Sequence, residues 1–367
     1  MIRRLSQLAA ALVSACLLYG APVALASDAP PQDGAVAAMA RVPHIALLLP
    51  LNSKIFGRHA TALRDGFQAA ARAESRLPLP VREYAVSEDA ASALEGYRTA
   101  VAAGAQVIVG PLTRDAVTAL AFGEPVPVPT LALNTPDEVG RIPGNLYMLS
   151  LQIETEARQA ARLAWREGFR NAVTISGASP VQRRMQAAFA GEFSRLGGTV
   201  AADVAYAADP ERLQSIARSS SAADMCFLAL GYTEARSVRS YLGTTPVYAT
   251  SSVHAGDQGP LAGFDLAGVN FIDMPWLLEP NHAAVMIYPR PKQRGPIDLE
   301  RLYALGIDAW RIARLLLAGA RDIRLDGVTG QLTLGPDGRI ERELVAGRYI
   351  DGRPQFAGPA ARREPAR

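Results

Sequence analysis

Few side chains in this 367-residue chain are suited to catalysis, and their spacing fits none of the common reactions. The four histidines, His44, His59, His254 and His282, are scattered and never show the His-x-x-x-His spacing that brings two imidazoles to one metal ion. Lys54 and Lys292 are the only lysines, and neither follows a glycine-rich turn, so there is no phosphate loop for nucleotide hydrolysis. Ser176 and Ser179 flank Gly177-Ala178 after an apolar run, but the Gly-x-Ser-x-Gly elbow is missing and no histidine is placed to accept a proton. Glu154 and Glu156 lie two apart, which on a helix turns them to different faces. They suit the positive end of a helix dipole better than paired acid–base chemistry. Cys226 lies in the apolar run MCFLAL and reads as an inert core thiol, with Cys16 the only other cysteine. These residues predict a non-catalytic protein without a metal ion or other cofactor.

The elements that must position the remaining polar residues follow a regular alternation. Apolar runs at residues 44–51, 81–86, 107–109 and 130–133 read as buried parallel strands, with helical spacing at 60–73, 90–102 and 116–122 between them. Residues 146–149 read as a crossing segment. The pattern then restarts, with helices at 154–166, 181–196, 210–217 and 233–242 and strands at 172–175, 200–206, 225–230 and 247–250. Two consecutive βα modules predict two lobes in an α/β fold, each a mostly parallel sheet flanked by helices. A strand at 269–273 and a strongly apolar helix at 299–318 follow, and the helix is expected to return to the first lobe. A hairpin with a Pro336-Asp337-Gly338 turn closes the fold. The expected division is 43–149 plus 269–323 for lobe 1 and 150–268 plus 324–356 for lobe 2, with a flexible tail at 357–367.

In such folds ligands sit beyond the C-terminal ends of the strands, where loops and helix N-termini offer backbone N–H groups. The residues meeting that rule are Asn52, Ser53, Leu112, Thr113, Asn134, Thr135, Ser176 and Ser179. They have two readings. Either they cap helices and satisfy turns, or they line a small-molecule site in the cleft between the lobes.

The N-terminus predicts export. Arg3 and Arg4 precede an apolar run at 8–18 that is too short to span a bilayer, which fits a signal peptide over residues 1–26 and a linker over 27–42. Ala24-Leu25-Ala26 offers release into the periplasm with Ser27 as the new N-terminus. Val13-Ser14-Ala15-Cys16 offers the alternative, lipidation of Cys16 and a membrane-anchored lipoprotein. The net charge is +3, and two of those charges leave with Arg3 and Arg4, so the mature protein is near neutral. It carries no footprint for nucleic acid, and it meets a membrane only through a lipidated Cys16.

Several segments in register resemble the penicillin-binding protein activator (LpoA) family. They are residues 44–71 (HIALLLPLNSKIFGRHATALRDGFQAAA), 109–119 (VGPLTRDAVTA), 131–134 (LALN), 149–161 (LSLQIETEARQAA), 274–276 (MPW) and 303–312 (YALGIDAWRI). A closing pair at 327–334 and 337–344 completes the set, and the resemblance runs from 43 to 356. Asn52-Ser53 stands where that family often has Ser-Gly, and Gln152-Ile153-Glu154-Thr155-Glu156 replaces its usual acidic turn. The stretch between 27 and 43 has no room for the family's N-terminal helical-repeat domain, so the expectation is a short form. The resemblance implies a type I periplasmic-binding-protein fold and, as partner, a class A penicillin-binding protein that is activated by contact. The competing expectation is a substrate-binding receptor of a branched-chain amino acid-type ABC transporter, or a sensor of a cell-wall fragment. Amino acid-binding relatives lead one to expect a tyrosine near 179–183, and Ser179-Pro180-Val181-Gln182-Arg183 has no aromatic group.

Overall fold

The computed structural model describes residues 41–74, 78–256, 258, 263–291 and 295–358. The expected signal peptide, Cys16, Lys292, nearly all of the expected linker and most of the tail lie outside the described residues. In the first lobe the order is β1 (His44–Leu49), α1 (Gly57–Ala73), β2 (Val81–Ala85), α2 (Ala90–Ala102), β3 (Ala105–Val109), α3 (Arg114–Gly123), β4 (Thr130–Ala132) and β5 (Leu146–Met148). The second continues with α4 (Ile153–Arg166), β6 (Asn171–Ser176), α5 (Pro180–Arg195), β7 (Thr199–Ala205), α6 (Pro210–Ser221), β8 (Met225–Ala229), α7 (Tyr232–Arg239), β9 (Val247–Ala249) and β10 (Val269–Asp273). Then come α8 (Pro275–Leu278), α9 (Ala283–Met286), α10 (Ile297–Leu317), β11 (Arg324–Asp326), β12 (Gln331–Leu334), β13 (Ile340–Glu343), β14 (Val345–Ile350) and β15 (Arg353–Phe356).

The first sheet is parallel with order β2-β1-β3-β4-β5. β1 is buried along its whole length, as a central parallel strand covered on both faces must be. Residues 146–149, expected only to cross, supply its fifth strand. The second sheet has order β15-β14-β10-β9-β8-β6-β7, parallel except for β14 and β15.

Two expectations about the lobes need correction. β10 pairs with β9 in parallel and with β14 antiparallel, so it belongs to the second sheet, not to the first lobe with the helix that follows it. Hydrophobic run length identifies a strand but says nothing of which sheet edge it joins. The closing segment also does not form one unit in lobe 2. β11, β12 and β13 form a separate three-stranded sheet, and the chain then turns at Leu344 to place β14 and β15 in the second sheet. The Pro336-Asp337-Gly338 turn reaches the first sheet instead, where Met148 N–H donates to Gly338 C=O at 2.9 Å.

Helix α10 does return to the first lobe, and glycines decide how closely. It packs on α1 through Gly306 and Gly66. A Cβ at Gly306 would lie 2.0 Å from Leu63 C=O oxygen, and one at Gly66 would lie 1.9 Å from that of Tyr303. Two helix backbones in such contact leave no room for a methyl group. Beside them Trp310 meets Phe67 edge-on at 5.3 Å, and both are fully buried. Alanine is intrinsically better than glycine in a helix by about 1 kcal/mol, so the contact can be isolated. Gly306→Ala should lose about 1–3 kcal/mol or more through overpacking. Gly191→Ala, in α5 with open space around it, should gain about 0.5–1 kcal/mol. Urea unfolding of the two variants tests the contact, and a Gly306→Ala variant as stable as the parent would refute it.

Candidate functional site

The eight residues singled out at the strand ends lie on both lobes, and most bond within the chain. Ser53 Oγ accepts from the N–H groups of Ile55 and Phe56 at 3.1 and 2.9 Å, ahead of α1. Asn52 Nδ2 donates to Ala85 C=O at 3.2 Å, and Thr113 Oγ1 to Glu88 C=O at 3.4 Å. Leu112, Asn134 and Thr135 come together: Asn134 Nδ2 donates to Leu112 C=O at 3.2 Å, Thr135 N–H donates to Asn134 Oδ1, and Gln152 donates to Thr135 Oγ1. On the second lobe Ser176 Oγ lies 3.5 Å from Asp203, and Ser179 forms a capping box with Gln182 at the start of α5. Thr135 alone of the eight lines a cavity of about 470 Å³ between α4 and β13.

A buried polar cluster lies where the chain crosses between lobes, and sequence reasoning missed it. Asp273 ends β10, fully buried. Its Oδ2 accepts from Arg301 Nη2 and from His254 Nδ1, each at 2.8 Å, and its Oδ1 accepts from Met274 N–H at 2.8 Å. Arg301, on α10, also donates from Nη2 to the carbonyls of Ser251 and His254 at 3.1 Å and from Nη1 to Asp298 at 2.7 Å. Burial alone would push the Asp273 carboxyl up, but the Arg301 charge and the bonds from His254 and Arg301 hold it at about 2 against an ordinary 3.8. Burial likewise opposes the Arg301 charge, and Asp273 outweighs it, so the guanidinium is held more firmly protonated than usual.

Further buried groups surround this pair. Glu156 is buried on α4 and accepts from Ser251 N–H at 3.0 Å. Burial, with the Asp273 charge added, pushes its carboxyl up. Glu154 faces the other way and pairs with Arg184 at 2.7 Å, so the two carboxylates do diverge, as their spacing requires. Asp308, seven residues after Arg301 on α10, accepts from the N–H groups of Val328 and Thr329 at 3.1 and 2.8 Å and from Thr329 Oγ1 at 2.7 Å. Gln159 on α4 donates to Arg342 C=O at 2.7 Å and accepts from Leu344 N–H at 2.8 Å, covering the edge of β13. The signal for this cluster was present as charged residues inside otherwise apolar segments: Asp273 at the end of VNFID and Asp308 within YALGIDAWRI. Isolated charges in such runs require buried partners.

Cys226 is buried on β8, and burial raises its thiol to about 11, which suits packing and not nucleophilic attack. Among the described residues no group of three His, Cys, Asp or Glu side chains is placed to hold a metal ion, and no helix is long and apolar enough to cross a membrane.

A family described as "LppC putative lipoprotein" matches residues 35–352. The chain belongs to the LppC family. Its similarity to the penicillin-binding protein activators holds along that segment: 27% identity over 324 residues to LpoA of Haemophilus influenzae, covering 85% of this chain and 54% of that one. The chain thus spans about half the length of the curated relatives it matches. Among solved structures it is similar to the C-domain of Haemophilus influenzae LpoA, "a regulator of PBP1A", with a TM-score of 0.72 and 26% identity over 86% of this chain and 99% of that domain. It is also similar to "a putative branched-chain amino acid ABC transporter" from Chromobacterium violaceum, with a TM-score of 0.73 and 40% identity over 83% of this chain and 99% of that one. The two-lobed periplasmic-binding-protein fold is common to these neighbours, and membership of a lipoprotein family places this LppC-family chain in the cell envelope.

The buried pair carries a signed expectation. Asp273 has a depressed folded pKa, so its contribution is fully present above about pH 4 and is lost as pH falls through about 2. Arg301→Met leaves that carboxylate buried without its partner, which should cost about 3–5 kcal/mol at pH 7. The deficit should narrow toward pH 3, because a protonated Asp273 no longer needs the guanidinium. Guanidinium unfolding at the two pH values measures it, and a deficit that widens in acid would contradict the assignment.

Proposed function

We propose that this chain is a non-catalytic envelope protein that activates a class A penicillin-binding protein by direct contact. The observation carrying the proposal is coextension: the described fold covers 99% of the LpoA C-domain, and that domain is a regulator of PBP1A. Activation by contact means that the chain binds an active conformation of the synthase more tightly than a resting one. A tenfold shift requires about 1.4 kcal/mol of differential binding, a modest demand on a protein interface. The purified chain should therefore raise glycan polymerisation or crosslinking by its cognate class A synthase and leave isolated peptidoglycan unchanged. Turnover of peptidoglycan without the synthase would reveal an enzyme. Failure to bind or stimulate any class A synthase of the source organism would reject the activator reading.

The 40%-identical Chromobacterium violaceum structure favours a second reading, a receptor that takes a small ligand into the interlobe cleft for a transporter. A thermal-shift screen of amino acids and cell-wall fragments separates the two, since a receptor is stabilised by its ligand. Under that reading, Thr113→Ala with Thr135→Ala should abolish the shift.

The lipoprotein description of the family supports lipidation at Cys16 over release at Ser27, with anchoring at the outer membrane as the consequence. Intact mass of protein from the native envelope should show acylated Cys16 as the first residue. A mature form beginning at Ser27 would instead make the protein soluble in the periplasm.

A further inference from the structure

The cavity of about 470 Å³ between α4 and β13 is lined by a row of arginines: Arg158, Arg162 and Arg166. Their i, i+4, i+8 spacing sets them about 6 Å apart along the helix axis. Among the described residues Arg158 hydrogen-bonds a neutral hydroxyl, Thr155 Oγ1 at 3.1 Å, and its charge, with that of Arg162, acts on Glu192. Arg162 stands 3.7 Å from Glu192, whose closer partner is Arg195 at 2.9 Å. No ion pair reaches Arg166 among the described residues. Across from this row lies Arg342, 4% exposed, which bonds Ser150 and Thr329 carbonyls through Nε and Nη1 while its Nη2 has no partner among the described residues. Burial pulls Arg342 below its ordinary value, and Glu156, Asp273 and Asp308 nearby oppose that pull. The same lining carries three acids, Asp337, which pairs with Arg339 at 3.6 Å, and Glu341 and Glu343, exposed on β13, so Arg158, Arg162, Arg166, Arg339 and Arg342 outnumber the carboxylates five to three.

We propose that this groove binds an acidic peptide, its carboxylates seated on the arginines of α4. Alternate side chains of an extended peptide lie about 6.6–6.8 Å apart, close to the rise between successive arginines. A single small anion would meet only one of them. Gln159 already occupies the exposed edge of β13 at Arg342 and Leu344, so recognition there runs through side chains and not through an added strand. The volume suits a segment of a few residues. The inference holds whether or not the chain activates a synthase.

Calorimetric titration of the full chain with L-triglutamate tests it, with trialanine and inorganic phosphate as comparisons. Triglutamate should bind with an affinity that falls as salt rises, while trialanine should not bind. Arg158→Gln combined with Arg166→Gln, both outside the buried core, should weaken binding at least about tenfold while leaving the melting temperature of the free protein nearly unchanged. No binding of triglutamate, equal binding of inorganic phosphate, or unchanged affinity in the double variant would each overturn the proposal.

Discussion

Arg301 stands on a helix packed into one lobe and bonds a carboxylate at the end of a strand in the other. Much else in the molecule depends on that ion pair. Both groups are removed from water, at a desolvation cost that their attraction offsets only if every remaining donor and acceptor is also met. Here those needs are met: Asp273 receives His254 and Met274 besides Arg301, and Arg301 also reaches two carbonyls and Asp298. A pair of apolar residues could hold two lobes together as strongly, but it would tolerate sliding. A carboxylate that takes Arg301 Nη2 at 2.8 Å and Nε at 3.4 Å, besides His254 and Met274, fixes one distance and one angle.

The pair is only as well placed as the helix that bears it. Backbone contact through Gly66 and Gly306 sets α10 against α1, with Trp310 and Phe67 beside them. Arg301 and Asp308 are seven residues apart, two turns, and so share a face of α10. One end of that face bonds the end of β10, and the other bonds the turn at Val328 and Thr329 that leads into β12. Gln159 adds a third tie, from α4 to the edge of β13. All three ties are buried polar bonds, each from a helix whose position is set by apolar packing.

The sequence conveyed the periodic part of this well. The βα alternation, the return of the apolar helix at 299–318 to the first lobe and the burial of Cys226 all follow from apolar spacing, because spacing reports which face of an element is covered. It could not report that Val269–Asp273 joins the second sheet, since a five-residue apolar strand looks the same in either. Nor could it report the closing strands, where Leu344 separates two strands assigned to different sheets. The candidate site divides in the same way. Ser179 could be read as a cap and Ser53 as a turn residue, because both roles are local in sequence. The Asp273–Arg301–His254 cluster joins residues 19 to 47 positions apart, and no local pattern links them.

These constraints bear on what the protein can do. Transport receptors of this architecture work by closing on a ligand, which requires the crossings between lobes to change backbone angles at little cost. Here the crossings carry buried donors and acceptors that match one arrangement. A movement that parted Arg301 from Asp273 would leave a buried carboxylate without its guanidinium, and only a rotation that preserves their contact escapes that penalty. A contact activator has no such requirement. It must present a surface that favours one state of its partner, and a rigid body does so without spending binding energy on its own rearrangement. The cross-bracing of the lobes is therefore a better match to contact activation than to wide opening and closing, and the polar bonds at the crossings are the features that weigh on the choice.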